Sequence, residues 1–446
     1  MNPTRQLCEY IVSITPDMIG AENMADIRLK TLDWTGCVLA ALKQPCAKAA
    51  QSLAADEGGA ERATVIGMEK KSSAGMAAFT NGIISHALEY DDTNKIAITH
   101  PGAPVFAAAL AEAEALGADF ASFAVAIAAG YETMIRLGGA MNPDHYDHWH
   151  TTGTAGTFAA AAAAGRLLGL DAAAMERAFG LAATTAAGLL YSFGTDAKLL
   201  TVGNAARNGL MAAELAARGF TAPEDAFAAK GGYAESAGAK KDLSFMIPKE
   251  GDRLLLEDAY YKMHASCGHT HSALDALQNL IAEHGIKAEQ VAYVKAGVYH
   301  KAWELCRAYQ TQTEAKAKFS LPYCIAVMLL YGQTTLSEFA EEILQSDEVK
   351  EFASRITVEE VPEFTAAYPT LRYERIEIGL KDGSVVEKTV DLPEGRPAPA
   401  FIIKKYYSLA GMTLERERAE QIEKAILGIG DDDSPEYFCR LLREAV

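Results

Sequence analysis

The sequence is poor in the features that announce most chemistries. Aromatic residues make up only 8% of the 446 positions, so packing must rest on alanine and leucine, a composition that favours closely packed helices. Basic residues are outnumbered, with 41 Lys and Arg against 59 Asp and Glu and a net charge of −18. That balance excludes a general nucleic-acid binder, which needs a basic footprint. It leaves room for an anionic ligand, because a few local cations can dominate a pocket. The seven cysteines, at 8, 37, 46, 267, 306, 324 and 439, form no CxxC pair. Such an odd, scattered set suits reduced, mostly buried thiols. No P-loop, GxGxxG, GxSxG or HExxH occurs, so the usual signatures of nucleotide binding, serine hydrolysis and zinc proteolysis are absent. The first residues, MNPTRQLCEYIV, lack a secretory pattern. The most apolar stretch, Phe120 to Tyr131, is too short to span a bilayer. A soluble cytoplasmic protein with no nucleic-acid or membrane partner is expected.

What the chain does have is helical periodicity over its first 262 residues or so. Ala25, Leu29, Leu32 and Leu39 share one face of a helix over 21–42. Alanine-rich helices are predicted over 74–88, 104–116, 120–137, 154–168, 173–189 and 205–218, with Asp171 as an N-cap. Beyond residue 265 the texture changes. Gln290 to His300 alternates as a strand does, and Leu371 to Val390 reads as a hairpin closed by Asp382-Gly383. Pro393, Pro397 and Pro399 mark a linker before a charged amphipathic helix over 414–427. The expected architecture is mainly α. It comprises a large all-helical domain over 1–265, a smaller α/β lid domain over 266–401, and a C-terminal helical segment, 402–446, returning to the first domain.

Polar residues gather in a few stretches. Residues 86–105, HALEYDDTNKIAITHPGAPV, place Glu89, Asp91, Asp92, Thr93 and His100 between two apolar helices. Acids beside a histidine can supply acid–base chemistry near neutral pH, although a capped turn with solvated acids would look the same. His145, Asp147, His148 and His150 are zinc-type ligands whose spacing does not share one helical face. His145 and His148 fit a hydrophilic loop tip. His150 precedes a glycine-spaced helix start and could hold an anion beside free backbone N–H groups. The stretch 192–209 reads as a loop carrying Lys198, and Ser320-Leu-Pro-Tyr323 opens a helix capped by Ser320. A third histidine group holds His264, His269 and His271.

Taken together, these stretches resemble the MmgE/PrpD family, which includes 2-methylcitrate dehydratase, cis-aconitate decarboxylase and iminodisuccinate epimerase. The motifs that carry the resemblance are Glu89-Tyr-Asp-Asp-Thr93 with Thr99-His-Pro101, Trp149-His-Thr-Thr-Gly-Thr-Ala-Gly156 and Gly194-Thr-Asp-Ala-Lys198. Gly203-Asn-Ala-Ala-Arg207-Asn-Gly209 and Phe319-Ser-Leu-Pro-Tyr323 complete the set. The resemblance implies a helical domain joined to an α/β lid domain with the site between them, a homodimer, and no cofactor or metal. It carries over Asp91, Asp92, Thr93, His100, His150, Lys198, His271 and Tyr323 as pocket residues, with His269 competing with His271. Three features depart from the family pattern: Glu89 stands where the acidic motif usually has Asp, the spacing from Thr93 to His100 is longer by a residue, and Gly102-Ala103 follow the proline.

The implied chemistry is proton management at a carbon next to a carboxylate, where donors aimed at the developing charge matter most. His100 is the expected proton carrier, with Asp91 or Asp92 orienting and charge-balancing it or, if buried, taking the base role. Lys198 and His150 are assigned to substrate carboxylates together with Thr93 and His271, and Tyr323 to protonating a departing hydroxyl or binding a carboxylate from the lid side. The expected reaction is that of a hydro-lyase on a small di- or tricarboxylate, with epimerase and decarboxylase as alternatives. A metal-dependent hydrolase and a non-catalytic helical interaction protein are the competing classes.

Overall fold

The computed structural model describes residues 2–238, 243–249, 251–391 and 397–443. The chain forms two compact units. One comprises Met1–Ala87, Asp91–Tyr261 and Gly395–Val446; the other comprises Leu88–Tyr90 and Lys262–Glu394.

The first unit is helical. Its helices are α1 (Pro3–Ser13), α2 (Pro16–Ala41), α3 (Pro45–Glu57), α4 (Ala74–His86), α5 (Gly102–Leu116), α6 (Phe120–Met141), α7 (Thr151–Leu167), α8 (Ala172–Ala183) and α9 (Asp196–Ala217). Their starts are written in the sequence. The side chains of Asn2, Thr15, Ser73, Asp119 and Asp171 each accept a backbone N–H of the first turn. Proline occupies the first turn of α1, α2 and α3. Alanine lets α7 sit among its neighbours without voids: Ala159 to Ala164 are all fully buried. Helix α9 crosses α7 at Gly209, where a Cβ would lie 2.3 Å from the Thr157 carbonyl oxygen, so any side chain there would force the helices apart.

Helix α6 continues past Tyr131 to Met141 and is long and apolar enough, by composition, to cross a membrane. The length argument made from the sequence therefore fails. However, 89% of its apolar window is buried, and the helix packs on α2, α5 and α7.

Burial inside these helices also strands a carboxyl. Glu112 of α5 is buried with one oxygen lacking a hydrogen-bond partner among the described residues. Burial, with a smaller push from Glu214 and opposed by Arg62 and Arg218, raises its pKa to about 7. Ionisation in the folded state therefore costs stability. The cost is absent below the ordinary carboxyl range, grows as pH rises through it, and is complete above about pH 7, reaching on the order of 3 kcal/mol. Glu112→Gln should raise Tm at pH 8 and leave it nearly unchanged at pH 4.5. Equal Tm values at pH 8 would show that the ionised carboxylate finds a partner.

The second unit carries a mixed sheet of strand order β2-β1-β3-β4. Strand β1 (Val291–Val298) runs parallel to β2 (Ile356–Glu360) and antiparallel to β3 (Glu374–Leu380), which pairs with β4 (Val385–Val390). Val294 stands opposite both Ile356 and Ile378, and the helix His271–His284 packs on β3 and β4. The hairpin falls where Asp382-Gly383 indicated, with a longer loop than two residues. Leu380 N–H bonds the Ser384 carbonyl, and Gly383 takes φ 92°. Strand β2 was not anticipated: of its residues only Ile356 is buried, so it lacks the alternation that marks a strand.

Near the C-terminus, Pro399 opens a helix (Pro399–Ala410) that packs on α2, where a linker was expected. Proline in a first helical turn and proline in a linker look alike in sequence. Pro393 lies outside the described residues.

Candidate active site

Helix α4 ends at His86, and the chain reaches α5 only at Gly102. The intervening loop is tied to itself. Asn94 and Thr99 exchange backbone hydrogen bonds, the Asn94 side chain accepts from Ala97 N–H, and the Thr93 hydroxyl donates to the Thr99 carbonyl at 2.9 Å. Ile98 is held at φ 51°, a costly conformation for a β-branched residue that only a well-determined surrounding sustains.

The two adjacent acids of this loop face different ways. Asp91, 1% exposed, accepts from His86 Nδ1 at 2.8 Å, and the same oxygen lies 3.3 Å from His100 Nδ1. Burial disfavours its charge, but the two imidazoles outweigh that and hold it well below the usual carboxylate range. Burial pushes His86 down to about 3, so at neutral pH it is a neutral ring donating Nδ1–H to an ionised Asp91. Asp92 points into the helical core. One oxygen accepts from Gly102 N–H at 2.8 Å, the other from the Tyr131 hydroxyl at 2.6 Å. It therefore clamps the start of α5, two residues beyond His100. Burial raises its pKa against the opposing charge of Lys30.

Gly102 must be glycine for this clamp to close, because a Cβ would sit 2.6 Å from the Asp92 oxygen. Gly102→Ala should cost roughly 1–3 kcal/mol of stability by overpacking, read as a lower Tm. It should also lower kcat by displacing His100. A lower Tm with unchanged kcat would mean that the clamp does not place His100.

Two further elements complete the cluster. His150 caps α7; its backbone N–H donates to the Gly188 carbonyl, and its ring lies 5.6 Å from the His86 ring. Its Nδ1 is 2.8 Å from the Thr201 hydroxyl, which in turn donates to the Lys198 carbonyl at 2.7 Å. Lys198 is buried in the first turn of α9, whose N-cap is Thr195, so the loop expected over 192–209 is mostly helix. Its ammonium lies 4.7 Å from the Phe193 ring centroid. The structure thus gathers His86, Asp91, His100, His150 and Lys198 in one unit. The sequence groups His86 with His100 but gives it no role, because a histidine ending a helix reads as an ordinary C-terminal residue.

His145, Asp147 and His148, of zinc-ligand type but with a spacing that speaks against a shared site, have separate surroundings. His145 is not at a loop tip but buried, with its ring nitrogens 2.9 Å from the Ala237 carbonyl and 2.8 Å from the Thr154 hydroxyl; burial lowers its pKa to about 4. Asp147 and His148 are exposed.

The remaining candidates lie in the second unit. Glu89 stands there with its carboxylate 3.5 Å from the ammonium of the fully buried Lys262, a cation the sequence reading passed over. His271 begins a helix with Nε2 3.3 Å from the Ser266 carbonyl, and its ring is 5.2 Å from that of His264. His269 meets the Tyr299 hydroxyl at 2.6 Å. Tyr323 is fully buried and donates to the Glu338 carbonyl at 2.5 Å; burial raises its pKa.

Asp91, His86, His100 and His150, with the buried Lys198, are side chains of the types that acid–base chemistry uses, held in the helical unit. Residues 5–246 match the MmgE/PrpD N-terminal domain and residues 264–429 the MmgE/PrpD C-terminal domain. The chain belongs to the MmgE/PrpD family. Among curated proteins it is 28% identical over 461 residues to a cis-aconitate decarboxylase of Aspergillus terreus, covering 96% of this chain and 93% of that one. It is 26% identical over 384 residues to the cis-aconitate decarboxylase of Homo sapiens, covering 82% and 79%. A cis-aconitate decarboxylase-like protein of Aspergillus oryzae is 28% identical over 459 residues, covering 96% and 94%.

Proposed function

We propose that this chain is a lyase for a small di- or tricarboxylate, acting without an added cofactor by proton transfer at a carbon beside a carboxylate. One observation carries the reading: an ionised, buried Asp91 is shared by His86 and His100, within the unit that also buries Lys198. His86 is neutral and buried, whereas the His100 side chain keeps 13% of its surface exposed. His100 is therefore the ring placed to take or give a proton at a ligand, with the Asp91 carboxylate 3.3 Å from its Nδ1. Lys198 supplies the positive charge for a carboxylate, which matters most when the carbon beside it gains negative charge.

Loss of carbon dioxide is placed first, since the Aspergillus terreus and Homo sapiens relatives named above are cis-aconitate decarboxylases. The tyrosine expected to protonate a departing hydroxyl is moreover engaged with the Glu338 carbonyl. Loss of water, which leads on the sequence alone, is placed second and uses the same proton carrier.

The test is product analysis by NMR in D2O with cis-aconitate, 2-methylcitrate, citrate and iminodisuccinate. Decarboxylation gives a product one carboxyl shorter, labelled at carbon by solvent deuterium. Dehydration gives an alkene with all carboxyls kept, and deuterium uptake without net loss marks epimerisation. No turnover of any of these acids, with no ligand-induced rise in Tm, would remove the lyase reading.

A further inference from the structure

We propose that His150 recognises a hydrogen-bond donor on the ligand, not a carboxylate, and that Thr201 is the positioning residue that holds it in this role. The inference rests on the carboxylate site proposed above and deepens it.

The argument is one of hydrogen counting. The Thr201 hydroxyl lies 2.7 Å from the Lys198 carbonyl and 2.8 Å from His150 Nδ1. A carbonyl only accepts, and a hydroxyl has one hydrogen. That hydrogen is spent on the carbonyl, so toward His150 the Thr201 oxygen accepts and Nδ1 must carry the ring proton. Burial pushes the His150 pKa well below its ordinary value, with His86 and His100 adding to the effect against Asp91. The ring is therefore neutral, and Nε2 presents a lone pair. Nε2 is buried and has no hydrogen-bond partner among the described residues.

An acceptor buried without a partner keeps the full desolvation cost of its lone pair. A ligand O–H or N–H placed there recovers that cost, whereas a carboxylate would set a negative oxygen against a lone pair. The sequence assigned His150 to a substrate carboxylate; the hydrogen count reverses that assignment. One turn of α9 thus does two jobs. Lys198 offers charge to a carboxylate, while its carbonyl, through Thr201, fixes the tautomer of His150. Thr201 is itself confined, since a Cβ at Gly153 or Gly188 would lie 2.9 or 3.1 Å from its Cβ. The ligand is then an acid that carries a hydroxyl or retains one carboxyl proton. These two sources correspond to the two reactions considered above, a hydroxy acid for loss of water and an unsaturated acid for loss of carbon dioxide.

The primary test needs no ligand. Long-range proton–nitrogen spectra of the full chain labelled with 15N-histidine, with the His150 signals assigned from His150→Gln, should show the Nδ1–H tautomer. Thr201→Val should abolish that preference and Thr201→Ser should restore it. An Nε2–H signal for His150 in the wild-type protein would overturn the proposal.

The second test is calorimetry with citrate and tricarballylate, which differ by one hydroxyl. A preference for citrate of about tenfold or more, lost in Thr201→Val and kept in Thr201→Ser, supports a hydroxyl donor. Equal binding accompanied by uptake of one proton, again lost in Thr201→Val, supports a carboxyl donor. Equal binding without proton uptake overturns the donor role even with the tautomer as expected. If neither acid binds, the carboxylate site fails and the ligand half of this inference fails with it, while the tautomer is still decided by the spectra.

Discussion

His100→Gln should lower kcat by roughly 10²–10⁴-fold, the usual worth of a positioned acid–base group, and change Tm little. The effect is expected to be large because no neighbour can substitute. His86 is closer to Asp91 but fully buried, and its Nδ1–H is committed to the Asp91 oxygen. His150 is buried as well, and its Nδ1 is engaged with Thr201. Of these three rings, His100 is the one that combines a carboxylate at 3.3 Å with partial exposure. Its backbone N–H is held independently, by the Thr152 hydroxyl at 3.1 Å, so the substitution removes the ring without releasing the loop. The measurement is kcat and KM on the acid that the wild-type enzyme turns over, alongside Tm for both proteins. Wild-type kcat in His100→Gln would sink the assignment. A fall in Tm matching the fall in kcat would make His100 structural.

The sequence carries much of this site, and the places where it fails have physical causes. Adjacent acids such as Asp91 and Asp92 are indistinguishable by type. What separates them is tertiary, since Asp92 is drawn away by a hydroxyl 39 residues later and an amide ten residues later. The start of α9 was misplaced although Thr195-Asp196 is a reasonable helix opening, because Gly194 and the small residues around it look like a loop. His145 looked polar in a polar stretch, yet two specific partners allow it to be buried. Strand β2 lacked alternation because a mostly exposed edge strand has no face to bury. By contrast, the caps at Asp171 and Ser320 and the hairpin at Gly383 were legible, since each is decided within a few residues. Local rules survive folding; the direction of a charged side chain in a core is set by residues that sequence spacing does not reveal.

Lys198→Ala should raise KM or Kd for the substrate acid by roughly 10–100-fold, the worth of a charge-assisted hydrogen bond, with a smaller effect on kcat. Lys198 is buried at the start of α9, where the helix dipole opposes a positive charge. The face of Phe193 at 4.7 Å offsets part of that cost. A cation held in an unfavourable place is what an anion site requires and what stability alone would not select. The two readouts should therefore move in opposite directions: the ligand-free Tm of Lys198→Ala should equal or exceed that of the wild type, while the rise in Tm on adding the acid should shrink or vanish. In the wild type, ligand at 100 times Kd should stabilise by about 2.7 kcal/mol. A variant that keeps this rise would show that Lys198 does not hold the carboxylate. A variant that loses ligand-free stability would show that the lysine is part of the scaffold.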